Sequence, residues 1–187
     1  MTFGLILAMA VNAGGVVASP AEGDDRRPYE IVRANRRADE VPPALPLVSA
    51  DGWRTVCSNA EAKVAMATDR LLFGDGVLRV DYRATGKDPE VRVLLAEPAA
   101  LPAFDTFSYW LYGNNFYGSN AKRKIPMADV YPLFADADGE PFELGCVWVH
   151  HREWCKFQKK VPSDLLPRTT RPGCRFLGWR IAKGTNV

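Results

Sequence analysis

The chain has 187 residues, 47% hydrophobic and 25% charged, with a formal net charge of +2. That length suits one domain of ordinary size with some tail, and the composition is globular. The charge is too small for a polyanion partner. The basic runs Arg26-Arg27, Arg36-Arg37, Lys122-Arg123-Lys124 and Lys159-Lys160 are short and scattered, so they read as solvated surface and no nucleic-acid partner is expected.

In chain order, Phe3 to Val11 is almost wholly apolar, and Val16-Val17-Ala18 offers small or short residues ahead of Ser19. Residues 1–18 therefore read as a secretory signal peptide, although no Lys or Arg precedes the apolar run. Asn12, Gly14 and Gly15 interrupt the segment, so no stable membrane span is expected. The expected location is secreted or periplasmic. Residues 19–49 are rich in Pro, Ala, Arg and Asp and read as an extended linker or arm, with Tyr29, Ile31 and Val32 available to dock. The folded unit is expected over residues 50–187, opening near Asp51-Gly52-Trp53.

From there the pattern is short strands: residues 53–57, 62–68, 78–83 and 90–95. A linker with two prolines follows at 96–102. Next comes an aromatic strand at 106–112, in which Phe107, Tyr109 and Leu111 share one face and Ser108, Trp110 and Tyr112 the other. Residues 130–135 and 141–149 flank Asp136-Ala137-Asp138-Gly139-Glu140, a hairpin signal because Asp-Gly tolerates positive φ. Strands at 154–158 and 176–181 complete the series, and residues 162–166 form the one helix candidate. Many short strands with turn residues between them predict an all-β antiparallel sandwich of jelly-roll type.

Signals for chemistry are sparse. His150-His151-Arg152-Glu153, with Cys146 and Cys155 nearby, has metal-ligand residue types, but adjacent histidines on a strand point to opposite faces. The Asp136 turn lacks the distal carboxylate of an EF-hand. No G-x-S-x-G elbow is present. No cofactor is expected, a structural calcium being the one ion such a sandwich could hold, and no catalytic residue is assigned. Cys57, Cys146, Cys155 and Cys174 include no C-x-x-C pair, and their spacing selects no disulfide pairing. The aromatic strand is the better lead. Its Ser108 face carries Trp110 and Tyr112, whose rings could stack on sugar, with Asn114 and Asn115 at the rim. The competing reading packs Trp110 beneath a second layer.

The order of Trp53, Leu78-Arg79-Val80-Asp81-Tyr82, Phe107 through Gly113, Leu133 through Gly139, Trp154 and Phe176-Leu177-Gly178-Trp179-Arg180-Ile181 resembles the galactose-binding-like jelly-roll domains akin to carbohydrate-binding modules. The resemblance implies an accessory domain of a large secreted protein that acts on polysaccharide, with carbohydrate or an adjacent catalytic domain as partner. It also implies a closing strand that pairs centrally, and the chain ends at Gly184-Thr185-Asn186-Val187 where that strand is expected to begin. A non-catalytic carbohydrate-binding-like domain is the first functional expectation. A structural sandwich packed against a hydrolase domain comes second. A jelly-roll lyase or hydrolase using His150 or His151 comes third.

Overall fold

The computed structural model describes residues 4–10, 45, 49–68, 76–113, 128–145, 147–149 and 154–183, with 4–10 and 148 described by their backbone. Asn114, Asn115, Cys146, His150 and His151 lie outside the described residues, as do Tyr29, Ile31 and Val32.

The strands are β1 (Gly4–Ala10), β2 (Trp53–Ser58), β3 (Ala60–Ala67), β4 (Val77–Ala84), β5 (Glu90–Ala100) and β6 (Thr106–Tyr112). They continue with β7 (Ala128–Ala135), β8 (Pro141–Glu143), β9 (Val147–Val149), β10 (Trp154–Lys160) and β11 (Arg175–Ala182). One short helix, α1 (Leu166–Thr170), precedes β11. The strands form a five-stranded sheet in the order β10-β6-β1-β4-β3 and a six-stranded sheet in the order β2-β5-β11-β7-β8, with β9 also on β7. All pairings are antiparallel. The molecule is the expected β-sandwich.

Alternation dictates which residues meet between the sheets. Val80, Tyr82, Phe107, Tyr109 and Leu111 of the five-stranded sheet pack with Val91, Val93, Val130, Phe134, Phe176, Trp179 and Ile181 of the six-stranded one. Two aromatic contacts join the layers. The Phe107 and Phe134 rings meet edge-on at 5.1 Å, and Tyr109 meets Trp179 edge-on at 4.9 Å. Edge-to-face pairs of this kind add about 0.5–1.5 kcal/mol each beyond area burial. Tyr82 lies in the same core, where burial, with the charge of Asp129 adding to it, pushes its phenol far above the ordinary range.

Turn chemistry sets the connections. Asn59 takes φ 49°, a region its short polar side chain tolerates, and carries the chain from β2 in one sheet to β3 in the other. Its carbonyl accepts from the N–H groups of Thr85 and Gly86, and its Nδ2 donates to the Lys87 carbonyl at 2.7 Å. The β7–β8 turn forms at Asp136–Gly139 as expected, with Gly139 at φ 88°. Asp136 accepts from the N–H groups of Asp138 and Glu140 and from Arg168 Nε at 2.8 Å, which ties the turn to α1.

Several boundaries differ from the sequence expectation. β5 runs on to Ala100, through the stretch expected as a linker. A bulge absorbs its irregularity: partners on β5 jump from Ala99 to Leu94 while β11 advances only from Phe176 to Gly178. The expected strand at 141–149 divides into β8 and β9, because Leu144 turns inward and donates its N–H to the Pro132 carbonyl. The helix starts at Leu166, four residues after Pro162, because Leu165 and Leu166 first close a turn back onto the Pro162 carbonyl. Leu45, expected in the arm, packs against the core.

The largest difference is at the N-terminus. Gly4–Ala10, inside the segment expected as a signal peptide, is the middle strand of the five-stranded sheet. It pairs with β4 on one side and β6 on the other.

Candidate functional site

Both faces of β6 are closed. Phe107, Tyr109 and Leu111 are wholly buried in the sandwich core. On the opposite face, Ser108 is 0%, Trp110 2% and Tyr112 5% exposed, so the expected open aromatic platform is absent from this arrangement. Register explains part of the closure. β10 sets Trp154 beside Tyr112 and Lys156 beside Trp110. The Trp154 ring meets Tyr112 edge-on at 5.7 Å, and the Lys156 ammonium lies 5.9 Å from the Trp110 ring centre.

A different face carries polar groups in an ordered array: the outer surface of the six-stranded sheet. Alternation that sends Val91, Val93, Val130, Trp179 and Ile181 inward sends Glu90, Arg92, Tyr131 and Arg180 outward. Strand register then lines them up. Val56, Arg92, Arg180 and Tyr131 form one row across β2, β5, β11 and β7. Arg54, Leu94, Gly178, Leu133 and Glu143 form the next row.

Arg180 organises this face. Its Nε and Nη2 donate to the two carboxylate oxygens of Glu143 at 2.6 and 2.7 Å, and its Nη1 reaches Glu90 at 3.3 Å. The guanidinium lies 3.9 Å from the centre of the Tyr131 ring. Hydrogen bonding to Glu143, with the charges of Glu143 and Glu90, pushes the Arg180 pKa up further against the opposing effect of burial. The group stays cationic and its fork is fixed in place. Glu90 also accepts from Arg92 Nε at 2.9 Å.

Gly178 sits in the middle of this array. Its φ is 140°, and a Cβ there would fall on the Val93 carbonyl oxygen, so the bulge admits only glycine. Leu94 and Leu133 flank the glycine on the neighbouring strands, about 10 Å apart across two strand spacings. Leu94 beside the fixed Arg and Glu groups lets this face meet a ligand that has apolar and hydroxylated surfaces together. None of these residues was expected from the sequence to meet a ligand. Their signal was present as Val91-Arg92-Val93 and Trp179-Arg180-Ile181, but alternation alone does not say which strands are neighbours.

Among the described residues no group of three His, Cys, Asp or Glu side chains converges as a metal site. Cys57 is exposed and Cys174 buried, both as free thiols. Burial, assisted by the charge of Asp136, pushes the Cys174 thiol up to about 11.

No protein-family model matches the chain, and no curated protein matches it. Its structure is similar to a solved structure from work on the promiscuous specificity of carbohydrate-binding modules of the beta-sandwich superfamily. The TM-score is 0.52 at 16% identity, over 80% of this chain and 60% of that one. The likeness shows the fold, an antiparallel β-sandwich. The chain spans 60% of the length of the module it matches.

Proposed function

We propose that the chain is a non-catalytic, carbohydrate-binding-like sandwich serving as an accessory domain of a secreted protein that acts on polysaccharide. The observation that carries the reading is the outer face of the six-stranded sheet, where Arg180, Glu143, Glu90 and Arg92 form a hydrogen-bonded polar array. Arg180 is already held by two carboxylates, so a ligand meets a prearranged polar edge and little ordering is required on binding. Sugar hydroxyls can bond that edge while the ring's apolar face lies over Gly178 between Leu94 and Leu133. In this reading Trp110 and Tyr112 pack on the outer face of the other sheet and do not meet the ligand.

The test is affinity electrophoresis of the full chain in gels of neutral and acidic polysaccharides. Retardation by at least one of them is expected. Arg92→Ala, which removes a half-exposed side chain from the array, should weaken retardation about tenfold, the equivalent of about 1.4 kcal/mol. Its unfolding midpoint should be unchanged. No retardation by any polysaccharide, or equal retardation of the variant, would reject this face as the binding surface.

A further inference from the structure

The corner of the polar face beside β2 has a pattern of its own. Trp53, Val91 and Val93 turn toward the core, so Arg54, Val56, Arg92 and Leu94 turn outward. Register pairs Arg54 with Leu94 and Val56 with Arg92. The four side chains form a square, with the apolar pair on one diagonal and the two guanidiniums on the other. Directly paired residues in such a ladder stand about 4.5–5.5 Å apart, and diagonal ones about 7–8 Å. Val56 is 49% exposed, the large hydrophobic left in solvent among the described residues. Through Leu94 the square adjoins Gly178.

Charge on this corner is unbalanced. Both oxygens of Glu143 accept from Arg180, and those of Glu90 are divided between Arg92 Nε and Arg180 Nη1. Asp129, on β7 at the far side of the sheet, is held by Lys183 at 2.9 Å. Arg54 is exposed, and among the described residues no carboxylate lies within ion-pair distance of it. Arg92 gives only Nε to Glu90, so its two terminal nitrogens remain available to a ligand. Like charges at diagonal spacing repel, and here the nearby carboxylates are already taken. An oxyanion between the two forks removes that repulsion and accepts hydrogen bonds from both.

We infer that this square selects an acidic glycan. Its ligand is a sugar ring carrying a carboxylate or a sulfate ester, with the oxyanion between Arg54 and Arg92 and the ring's apolar face on Val56 and Leu94. The inference rests on the carbohydrate reading of this sheet and deepens it by naming the ligand class. Because the square adjoins Gly178, it meets the ring next to the one seated there. A neutral ring would cover Val56 and Leu94 but leave Arg54 without a partner. Attraction by overall charge is a poor substitute for this site, since the formal net charge is only +2.

The test is affinity electrophoresis of the full chain, each mobility taken relative to that in a plain gel. One pair of gels carries polygalacturonate and its carboxyl-reduced counterpart. A second pair carries a sulfated galactan and its desulfated counterpart. At least one acidic polymer should bind at least tenfold more tightly than its neutral counterpart, and which one does so identifies the anion. Arg54→Gln should abolish that preference at an unchanged unfolding midpoint. Lys63→Gln makes the same change of charge at an exposed position on β3 of the other sheet and should keep the preference. Equal binding of acidic and neutral polymers would overturn the inference and leave the carbohydrate reading standing. Binding of none of the four, nor of any other polysaccharide, would reject both. A preference that survives Arg54→Gln would overturn the inference, as would one lost equally in Lys63→Gln, which would reduce it to net charge.

Discussion

Trp110→Ala separates a packing role from a ligand-stacking role in one measurement. Trp110 is 2% exposed, with Tyr112 and Trp154 meeting beside it and Lys156 near its ring. Burying a Trp removes about 150–250 Å² from water, worth about 4–6 kcal/mol at roughly 25 cal/mol per Å². Alanine recovers a little of that, and truncation of a buried aromatic typically costs about 3–5 kcal/mol. At about 2–4 °C per kcal/mol for a chain of this size, Tm should fall by roughly 6–20 °C. Far-UV circular dichroism during heating reads this without depending on the deleted fluorophore. Retardation by any bound polysaccharide, measured well below the lowered Tm, should survive. A Tm within about 2 °C of the parent's, together with lost retardation, would refute the packing argument and restore Trp110 as a stacking residue.

Gly178→Ala should be worse than an ordinary helix or strand substitution. The new Cβ would meet the Val93 carbonyl and lie 2.9 Å from Leu94 Cα, and these are backbone atoms that cannot rotate aside. A loss above about 4 kcal/mol in urea unfolding is expected, and a parent-like midpoint would disprove the close approach. Asp136 should make the domain acid-sensitive. Burial alone would raise its carboxyl pKa, but Arg168 and the N–H groups of Glu140 and Asp138 hold it below the usual carboxylate range. The stabilisation is therefore present above about pH 4 and lost as pH falls through the lowered folded value. Asp136→Asn should flatten the dependence of Tm on pH over that acid range, and an unchanged slope would remove Asp136 from the account. In a thiol-labelling experiment near pH 8, Cys57 should react in the native protein, whereas Cys174 should wait for unfolding. Fast native labelling of Cys174 would contradict its burial.

Local pattern made most of the strands legible. Residues 106–112 and 176–181 alternate strongly, and both became strands with one face in the core. The Asp-Gly turn was legible because its conformational demand is local. The pairing of Gly4–Ala10 was not, because it depends on the non-local partners Leu78–Asp81 and Ser108–Tyr112, which a short apolar run does not announce. The polar face was hidden for a related reason. Glu90, Glu143 and Arg180 come from three strands, and their meeting depends on strand order and on the bulge at Gly178. Trp110 shows a related limit: alternation assigned it to the face opposite Phe107 and Tyr109, but carries no information on whether that face is covered, so the sequence left the open and packed readings side by side.

The central place of β1 also has a kinetic consequence. During synthesis Gly4–Ala10 leaves the ribosome well before its partner Ser108–Tyr112, which follows about 100 residues later. At about 5–20 residues per second that is a wait of roughly 5–20 s. Throughout it an uncharged aliphatic segment has only one of its two ladders within reach, and then only after β4 emerges. Closing a ladder over such a sequence distance is slow even for the finished chain, since the loop entropy is lost before the contacts return it. Capture of β1 between its two neighbours therefore waits on the longer-range of its two pairings.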